Sequence, residues 1–350
     1  MLPPYHNKLY RNIIQKFGSH SNRKRGIIAA QKLEIYVLFR IIEKEGLHIF
    51  RTAEKMCKYH KMEIIEIMIQ NITSHELSAD FARPKPQEQD YVLLFVKNEV
   101  LVLPENGALP TVADWRKMGG TDAQLLHILE TEGISYFIVL DEVPESITAQ
   151  LKAESTRYLR TIEPDWLRLA SVTGLHLYQW HKQHRFCGVC GKPMKPDNKE
   201  LAMRCTDPNC NCVTYPTVCP AIIVGIVNGD KILLTKSSVY KQPVYALVSG
   251  YMSVGETMEQ TVAREAFEET GLHIKNIRYY GNQPWGFSGA QMIGFWAELD
   301  GDDKVKLQEE ELKEATWFLP EEMPVTPDPI DLTHYMMEQF RQRKMPFQNK

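Results

Sequence analysis

Hydrophobic positions along this chain change their period several times, and each change predicts an element. After Arg83-Pro84-Lys85-Pro86-Gln87, a proline-restricted linker that excludes a helix, apolar runs at 91–96 and 100–103 face each other across Lys97-Asn98-Glu99 and predict a hairpin. Residues 136–140 predict a further strand. Apolar positions then return at helical spacing over 147–162 and 165–184, which predicts two helices. Residues 221–227 and 231–234 flank Asn228-Gly229-Asp230, a strong hairpin signal, and 292–299 reads as another strand. Between them, Thr257 with Gln260 three residues on is a capping-box signature, and Gly271 suits a left-handed helix end. Met258, Val262 and Ala266 form the stripe that presses this helix onto a sheet. Before the linker, 27–42 and 62–72 carry helical patterns that predict a helical module. Strands and helices thus mix as in an α+β protein, and no internal repeat is evident.

Composition bounds the function. A chain of 350 residues that is 43% hydrophobic and 10% aromatic supports two to three domains with real cores. The net charge of -3 gives no global drive toward nucleic acid, and without a run of eighteen apolar residues no membrane span is expected. The exception to this balance is the start, where residues 1–33 hold no Asp or Glu but include Lys8, Arg11, Lys16, Arg23, Lys24, Arg25 and Lys32. This is the composition of a basic surface helix, and also of a mitochondrial presequence or of an arm touching RNA phosphates.

The chemistry concentrates between Gly250 and Leu272. On the helix that begins at Thr257, Glu265, Glu268 and Glu269 fall within an arc of roughly 100°. An acidic helix face is commonly just solvated. Here, however, Gly250, Glu256, Arg264 and Gly271 stand at fixed intervals around it, and Arg264 or a cation must compensate three crowded carboxylates. Hard oxygen ligands at this density suit Mg²⁺ or Mn²⁺, which take substrate phosphates among their remaining ligands.

A second constellation is Cys187-Gly-Val-Cys190 followed by Cys205-Thr-Asp-Pro-Asn-Cys210-Asn-Cys212. Two close cysteine pairs with Gly188, Gly191, Asp207, Pro208 and Asn209 in their turns read as a four-thiolate zinc ribbon. The fourth ligand is Cys210 or Cys212, and the shorter loop through Cys210 makes the better knuckle. The odd total of seven cysteines favours metal binding in a reducing compartment, hence a cytoplasmic protein, over disulfides.

Residues 250–272 resemble the Nudix box, G-x5-E-x7-R-E-U-x-E-E-x-G-U, with every fixed position met and Ala266 as its small aliphatic. A zinc ribbon followed by that box resembles the NADH pyrophosphatase family, and residues 88–345 fit that family's layout. The resemblance implies an N-terminal α+β domain at 88–183, the ribbon at 184–216 and a Nudix α/β/α sandwich at 217–345. Residues 1–82 match nothing in the layout and remain a basic helical extension. It further implies catalytic roles for Glu256, Arg264, Glu265, Glu268 and Glu269, and Mg²⁺ or Mn²⁺ held by Ser249, through its carbonyl, with Glu265, Glu269 and Glu311. Glu311 enters through Glu311-Leu-Lys-Glu-Ala-Thr-Trp317, which is similar to the family's E-L-x-E-A-x-W.

The segment Gln283-Pro284-Trp285-Gly286-Phe287-Ser288-Gly289-Ala290 resembles the family's Q-P-W-P-F-P-x-S substrate array, with two prolines and the serine replaced. Trp285 and Phe287 offer flat surfaces for a nicotinamide or adenine ring, and Gln283 can donate and accept hydrogen bonds. Loss of the prolines is expected to loosen selectivity. Glu200 and Tyr215 match substrate contacts beside the ribbon. The implied activity is hydrolysis of NADH or NAD⁺ to AMP and nicotinamide mononucleotide, with removal of NAD caps from RNA as a second activity and a homodimer as the assembly. The alternatives are a relaxed hydrolase acting on ADP-ribose, coenzyme A or diadenosine polyphosphates, and a nucleic-acid-binding ribbon protein with a vestigial Nudix domain.

Overall fold

The computed structural model describes residues 69–70, 77–78, 84–131, 133–238, 244–308, 310–324 and 330–344, all within the compact unit Glu66–Lys350. The basic start and the helix pattern at 27–42 lie outside the described residues, as does most of 62–72.

The first part of this unit is a six-stranded sheet clamped between helices. In chain order it runs β1 (Leu77–Ser78), β2 (Tyr91–Val96), β3 (Glu99–Val102), α1 (Val112–Lys117), β4 (Leu125–Thr131), β5 (Ile134–Val139), α2 (Glu145–Thr148), β6 (Lys152–Ser155), a 3₁₀ turn at Thr156–Thr161 and the long α3 (Asp165–Gln183). The strand order is β1-β4-β5-β2-β3-β6. Along β2, Leu93 and Phe95 face α3, while Val92 and Leu94 face α1 and Trp115, so both faces of the sheet are buried. Gly174 of α3 sits where a Cβ would meet Leu93 Cδ1 at 2.2 Å, which lets the helix lie close to the strand.

The hairpin, the strand at 136–140 and the helix over 165–184 appear as expected. The helix expected over 147–162 does not. Only Glu145–Thr148 is helical, and Lys152–Ser155 becomes a strand paired antiparallel with β3, Val102 opposite Lys152 through Glu99 opposite Ser155. The β3 edge offers a row of unpaired backbone groups, and pairing them outweighs the local helical period. Strand β4, absent from the sequence reading, fills the place between β1 and β5.

A small three-stranded sheet follows, made of β7 (Met194–Pro196), β8 (Met203–Cys205) and β9 (Val213–Thr214). The last part contains β10 (Cys219–Asn228), β11 (Lys231–Ser237), β12 (Tyr245–Ala246), β13 (Val248–Tyr251), α4 (Met258–Thr270), β14 (Ile274–Trp285), β15 (Ala290–Leu299), β16 (Leu312–Phe318) and α5 (Leu332–Arg341). Its seven-stranded mixed sheet has the path β12-β11-β10-β15-β14, with β13 added to β10 and β16 added to β11. Strand β10 is apolar without alternation because it is covered on both sides. Ile222, Val224 and Ile226 pack with Val262 and Ala266 of α4, whereas Ile223 and Val227 pack with Leu332, Met336 and Phe340 of α5. The sheet between α4 and α5 is the α/β/α sandwich.

Candidate active site

Helix α4 is built by local signals. Thr257 accepts from the Gln260 amide while the Gln260 side chain returns to the Thr257 amide, and Gly271 ends the helix at φ 71°. Its buried face is Val262 and Ala266, both wholly covered, with Glu265 and Glu269 beside them at 9% and 5% exposure. Glu268 points outward and is exposed.

Arg264 organises these carboxylates. Its Nε donates to Glu256 Oε1 at 2.6 Å, Nη2 to Glu256 Oε2 at 3.0 Å and to the Tyr251 carbonyl at 3.0 Å, and Nη1 to Glu265 at 2.7 Å and Glu268 at 2.9 Å. One guanidinium therefore ties the loop before the helix to three glutamates. The Arg264 contact and the Ser253 amide hold the Glu256 carboxyl down at about 2. Burial raises Glu265, and the Arg264 hydrogen bond opposes it. Among the described residues Glu269 has no such cation: burial, then the charges of Glu265 and Glu311, push it up to about 8, against the backbone amide of Ser249.

Gly250 fixes the approach of this group. A Cβ there would meet Glu265 Cδ at 2.0 Å, so the Glu265 carboxylate lies directly on the β13 backbone. Ser249, opposite Ile223 in the β10–β13 pair, supplies the amide on Glu269. Glu311 is delivered from the other side by Ser238, whose amide donates to the Glu311 carbonyl at 2.7 Å and whose Oγ donates to the Glu310 carbonyl at 2.6 Å. The Gln308 amide donates to the Glu269 carbonyl at 3.1 Å and closes the loop onto α4. Glu265, Glu269 and Glu311 thus form one electrostatic group of hard oxygen donors, whose uncompensated charge fits a divalent cation.

The ribbon thiols are drawn more tightly together. The sulfurs of Cys187, Cys190, Cys205 and Cys210 all lie within 4.8 Å of one another, the sole group of metal-binding side chains among the described residues to do so. Cys187 to Cys210 is 3.8 Å and Cys190 to Cys205 is 3.4 Å, close to the ~3.8 Å edge of a tetrahedron with metal–sulfur bonds of about 2.3 Å. Cys212 stands outside this group.

The array after the box does two jobs. Trp285 lines a cavity of about 190 Å³ with Ile223, Val244, Ala246, Met292 and the start of α5, and the Arg160 guanidinium lies 5.4 Å from its ring centre. Phe287, whose ring is 4.9 Å from Trp285, instead packs against the core of the first sheet and α3. Gln283 is fully buried. Its Nε2 donates to the Ile330 carbonyl at 2.9 Å and its Oε1 accepts from the Leu332 amide at 2.7 Å, so it braces the entry to α5. Ala290, 3% exposed, opens β15 between Cys219 and Trp285. Pro284 and Ser288 are exposed.

Gly286 is more than a flexible substitute for proline. A Cβ at that position would meet the Val172 carbonyl oxygen of α3 at 2.3 Å. Gly289, at φ 68°, meets His176 of the same helix in the same way, and His176 Nε2 lies 2.9 Å from the Thr217 carbonyl. Close packing on α3 therefore calls for a residue without a Cβ at 286, one of the two places where a proline of the array is replaced. Across the ribbon, Tyr215 OH donates to Glu200 at 2.9 Å, bringing both resemblance-derived residues into one exposed pair.

Four residues near these groups escaped the sequence reading. Asp331 caps α5 and accepts from the His334 amide at 3.0 Å, contacts His334 Nδ1 at 2.6 Å and pairs with Arg160 Nη2 at 3.1 Å. Burial would raise the Asp331 carboxyl, but His334 and Arg160 bring it below the ordinary range. Arg160 is 171 positions away from Asp331, and no local signal announces such a pair. Tyr251, 54% exposed directly after Gly250, was visible in the box as an aromatic at a loop entry.

Comparison with known proteins agrees with this arrangement. Residues 218–338 match the NUDIX domain model, and 182–215 match the NADH pyrophosphatase zinc ribbon domain. An NAD-capped RNA hydrolase NudC of Haemophilus influenzae (strain PittGG) is 38% identical over 246 residues, covering 60% of this chain and 92% of the relative. The chain belongs to the NADH pyrophosphatase family of Nudix hydrolases. Two NudC relatives from Mannheimia succiniciproducens and Pasteurella multocida are each 45% identical, over 150 and 145 residues, 41% of this chain in both cases. The match spans about half of their length, 56% and 54%. In this family member the box, the ribbon and the α3-docked array occupy one continuous unit.

Proposed function

We propose that this chain hydrolyses the pyrophosphate bond of NADH and NAD⁺, giving AMP and nicotinamide mononucleotide, and acts in the same way on NAD caps of RNA. The observation that carries the reading is the seat of Glu265 and Glu269: two buried carboxylates, one laid on Gly250 and braced by Arg264, the other without a cation of its own among the described residues. Glu265, Glu269 and Glu311, with the Ser249 carbonyl, would hold Mg²⁺ or Mn²⁺, which when bound neutralises anhydride oxygens and acidifies an attacking water. Cys187, Cys190, Cys205 and Cys210 would hold structural zinc. Arg264 keeps the loop and the helix in register, and Glu256 fixes Arg264.

The cavity beside Trp285 is smaller than the roughly 300–1,000 Å³ of sites that enclose a whole drug-sized ligand, so it suits one ring system of a longer substrate. It opens on the α5 side of the sheet, whereas the carboxylates belong to the α4 side. A dinucleotide with one ring on Trp285 would cross the end of β13, past Tyr251, to reach the carboxylates with its anhydride. That division of labour favours a two-ended substrate over a single nucleotide. The homodimer and the cytoplasmic location belong to the same reading and rest on the resemblance and on the ribbon's need for reduced thiols.

A substrate panel with product identification tests it. NADH is expected to give the highest kcat/KM, with AMP as product, and Trp285→Ala is expected to raise KM for dinucleotides about 10-fold. A preference for coenzyme A or ADP-ribose that Trp285→Ala leaves unchanged would overturn the assignment.

A further inference from the structure

The ribbon contains five thiols for four ligand positions. The fifth, Cys212, is two residues beyond Cys210, and the residue between them, Asn211, is left-handed at φ 46°. That reversal folds the chain back so that the Cys212 carbonyl accepts from the Cys205 amide at 2.9 Å. The Cys212 thiol lies outside the group of four sulfurs, but the β8–β9 register, Met203 opposite Thr214 and Arg204 opposite Val213, continues to Cys212 opposite the ligand Cys205, which puts both side chains on one face of the ladder; its own bond is a weak one to the Val213 carbonyl at 3.9 Å. It is partly covered and bonded to no other cysteine among the described residues.

We propose that Cys212 is a reserve ligand of the ribbon, able to replace Cys210 in the fourth position while Cys187, Cys190 and Cys205 keep theirs. This rests on the reading of the four-thiol cluster as a zinc site. In the exchange the metal–sulfur bond to Cys210 breaks, one to Cys212 forms, and the Cys212 proton passes to the released Cys210 sulfur, so charge and thiol count are conserved. Three fixed ligands hold the site while the fourth changes, and the thiols that exchange share one short loop. A knuckle with this option keeps its metal when one loop thiol is lost to alkylation or oxidation.

The test uses the full-length zinc-loaded protein. Limited alkylation with iodoacetamide followed by peptide mapping is expected to label Cys210 on some molecules and Cys212 on others, never both on one metal-loaded chain. Labelling of Cys212 alone, with Cys210 fully protected, would overturn exchange. Zinc content of purified variants gives an independent readout. Cys212→Ser is expected to retain one zinc per chain, Cys210→Ser also one but with removal by a chromophoric chelator roughly 10-fold faster, and the double variant none. Absence of zinc from Cys210→Ser refutes the reserve role, and full zinc in the double variant refutes the four-thiol cluster itself.

Discussion

The ribbon and the box helix are both candidate metal centres, yet they are assembled in opposite ways. The ribbon's four sulfurs already lie within 4.8 Å of one another, with left-handed residues at Gly191 and Asn211 in their turns. The carboxylates of Glu265, Glu269 and Glu311 are held near one another without converging so closely, and their repulsion is only partly met by Arg264. A closed set of soft ligands suits a permanent structural ion. An open, electrostatically unsatisfied set of hard ligands suits ions that arrive with, and leave room for, a phosphate substrate. The contrast separates a ligand set fitted to finish a fold from one fitted to leave room for chemistry.

The comparison is most severely tested at Cys187. Cys187→Ser is expected to lose stoichiometric zinc and several kcal/mol of stability, because a three-stranded sheet of short strands has too small a core to stand alone. Elemental analysis showing one zinc per chain in that variant would remove the ribbon assignment. At the other centre, Glu269→Gln should leave the fold intact while turnover falls by roughly 10²-fold or more. Its melting temperature at pH 7 should be unchanged or higher, since the buried carboxyl, pushed up to about 8, must take up a proton on folding that glutamine does not need. Near-native turnover would exclude α4 from the chemistry, and a lower melting temperature would contradict the strained carboxylate pair.

Smaller effects sharpen what connects the two regions. His181 near the end of α3 is buried with Nδ1 3.2 Å from Met203 Sδ of β8. Burial, with His184 adding, lowers its pKa to about 4 from 6.5. Between those values the unfolded chain binds a proton that the native chain does not, so this contribution is complete above pH 6.5 and declines as pH falls toward 4. Denaturant midpoints should show about 2 kcal/mol lost between pH 7 and pH 5, a loss that His181→Phe reduces. Equal pH slopes in both proteins would place the effect elsewhere. Gly286→Ala, which forces a methyl toward the Val172 carbonyl, is expected to cost about 1–3 kcal/mol, read as a lower denaturant midpoint. Full stability would show that α3 does not seat the array as described.

What was legible in the chain follows the range of the forces involved. Helix α4 was readable because the Thr257–Gln260 box and the Gly271 cap lie within its own residues. The β10–β11 hairpin was readable because Gly229, at φ 61°, supplies its turn. The strand Lys152–Ser155 was not, because its conformation is decided by the β3 edge some fifty positions earlier. Gln283 reads as a polar residue in a substrate array, and only the fold shows that its amide is spent on the backbone of Ile330 and Leu332. The same holds for the Arg160–Asp331 pair, which joins α5 to the segment before α3.

The docking of the array on α3 also sets where this protein can be cut. A fragment starting after the ribbon would keep every carboxylate, but Phe287 would lose the core against which it packs and the glycine backbone at 286 would face water instead of Val172. Such a fragment would carry a raw apolar seam next to the cavity lined by Trp285. Domain excision, routine for independent modules, would here leave an apolar face open, because the N-terminal sheet and α3 cover the array of the second sheet.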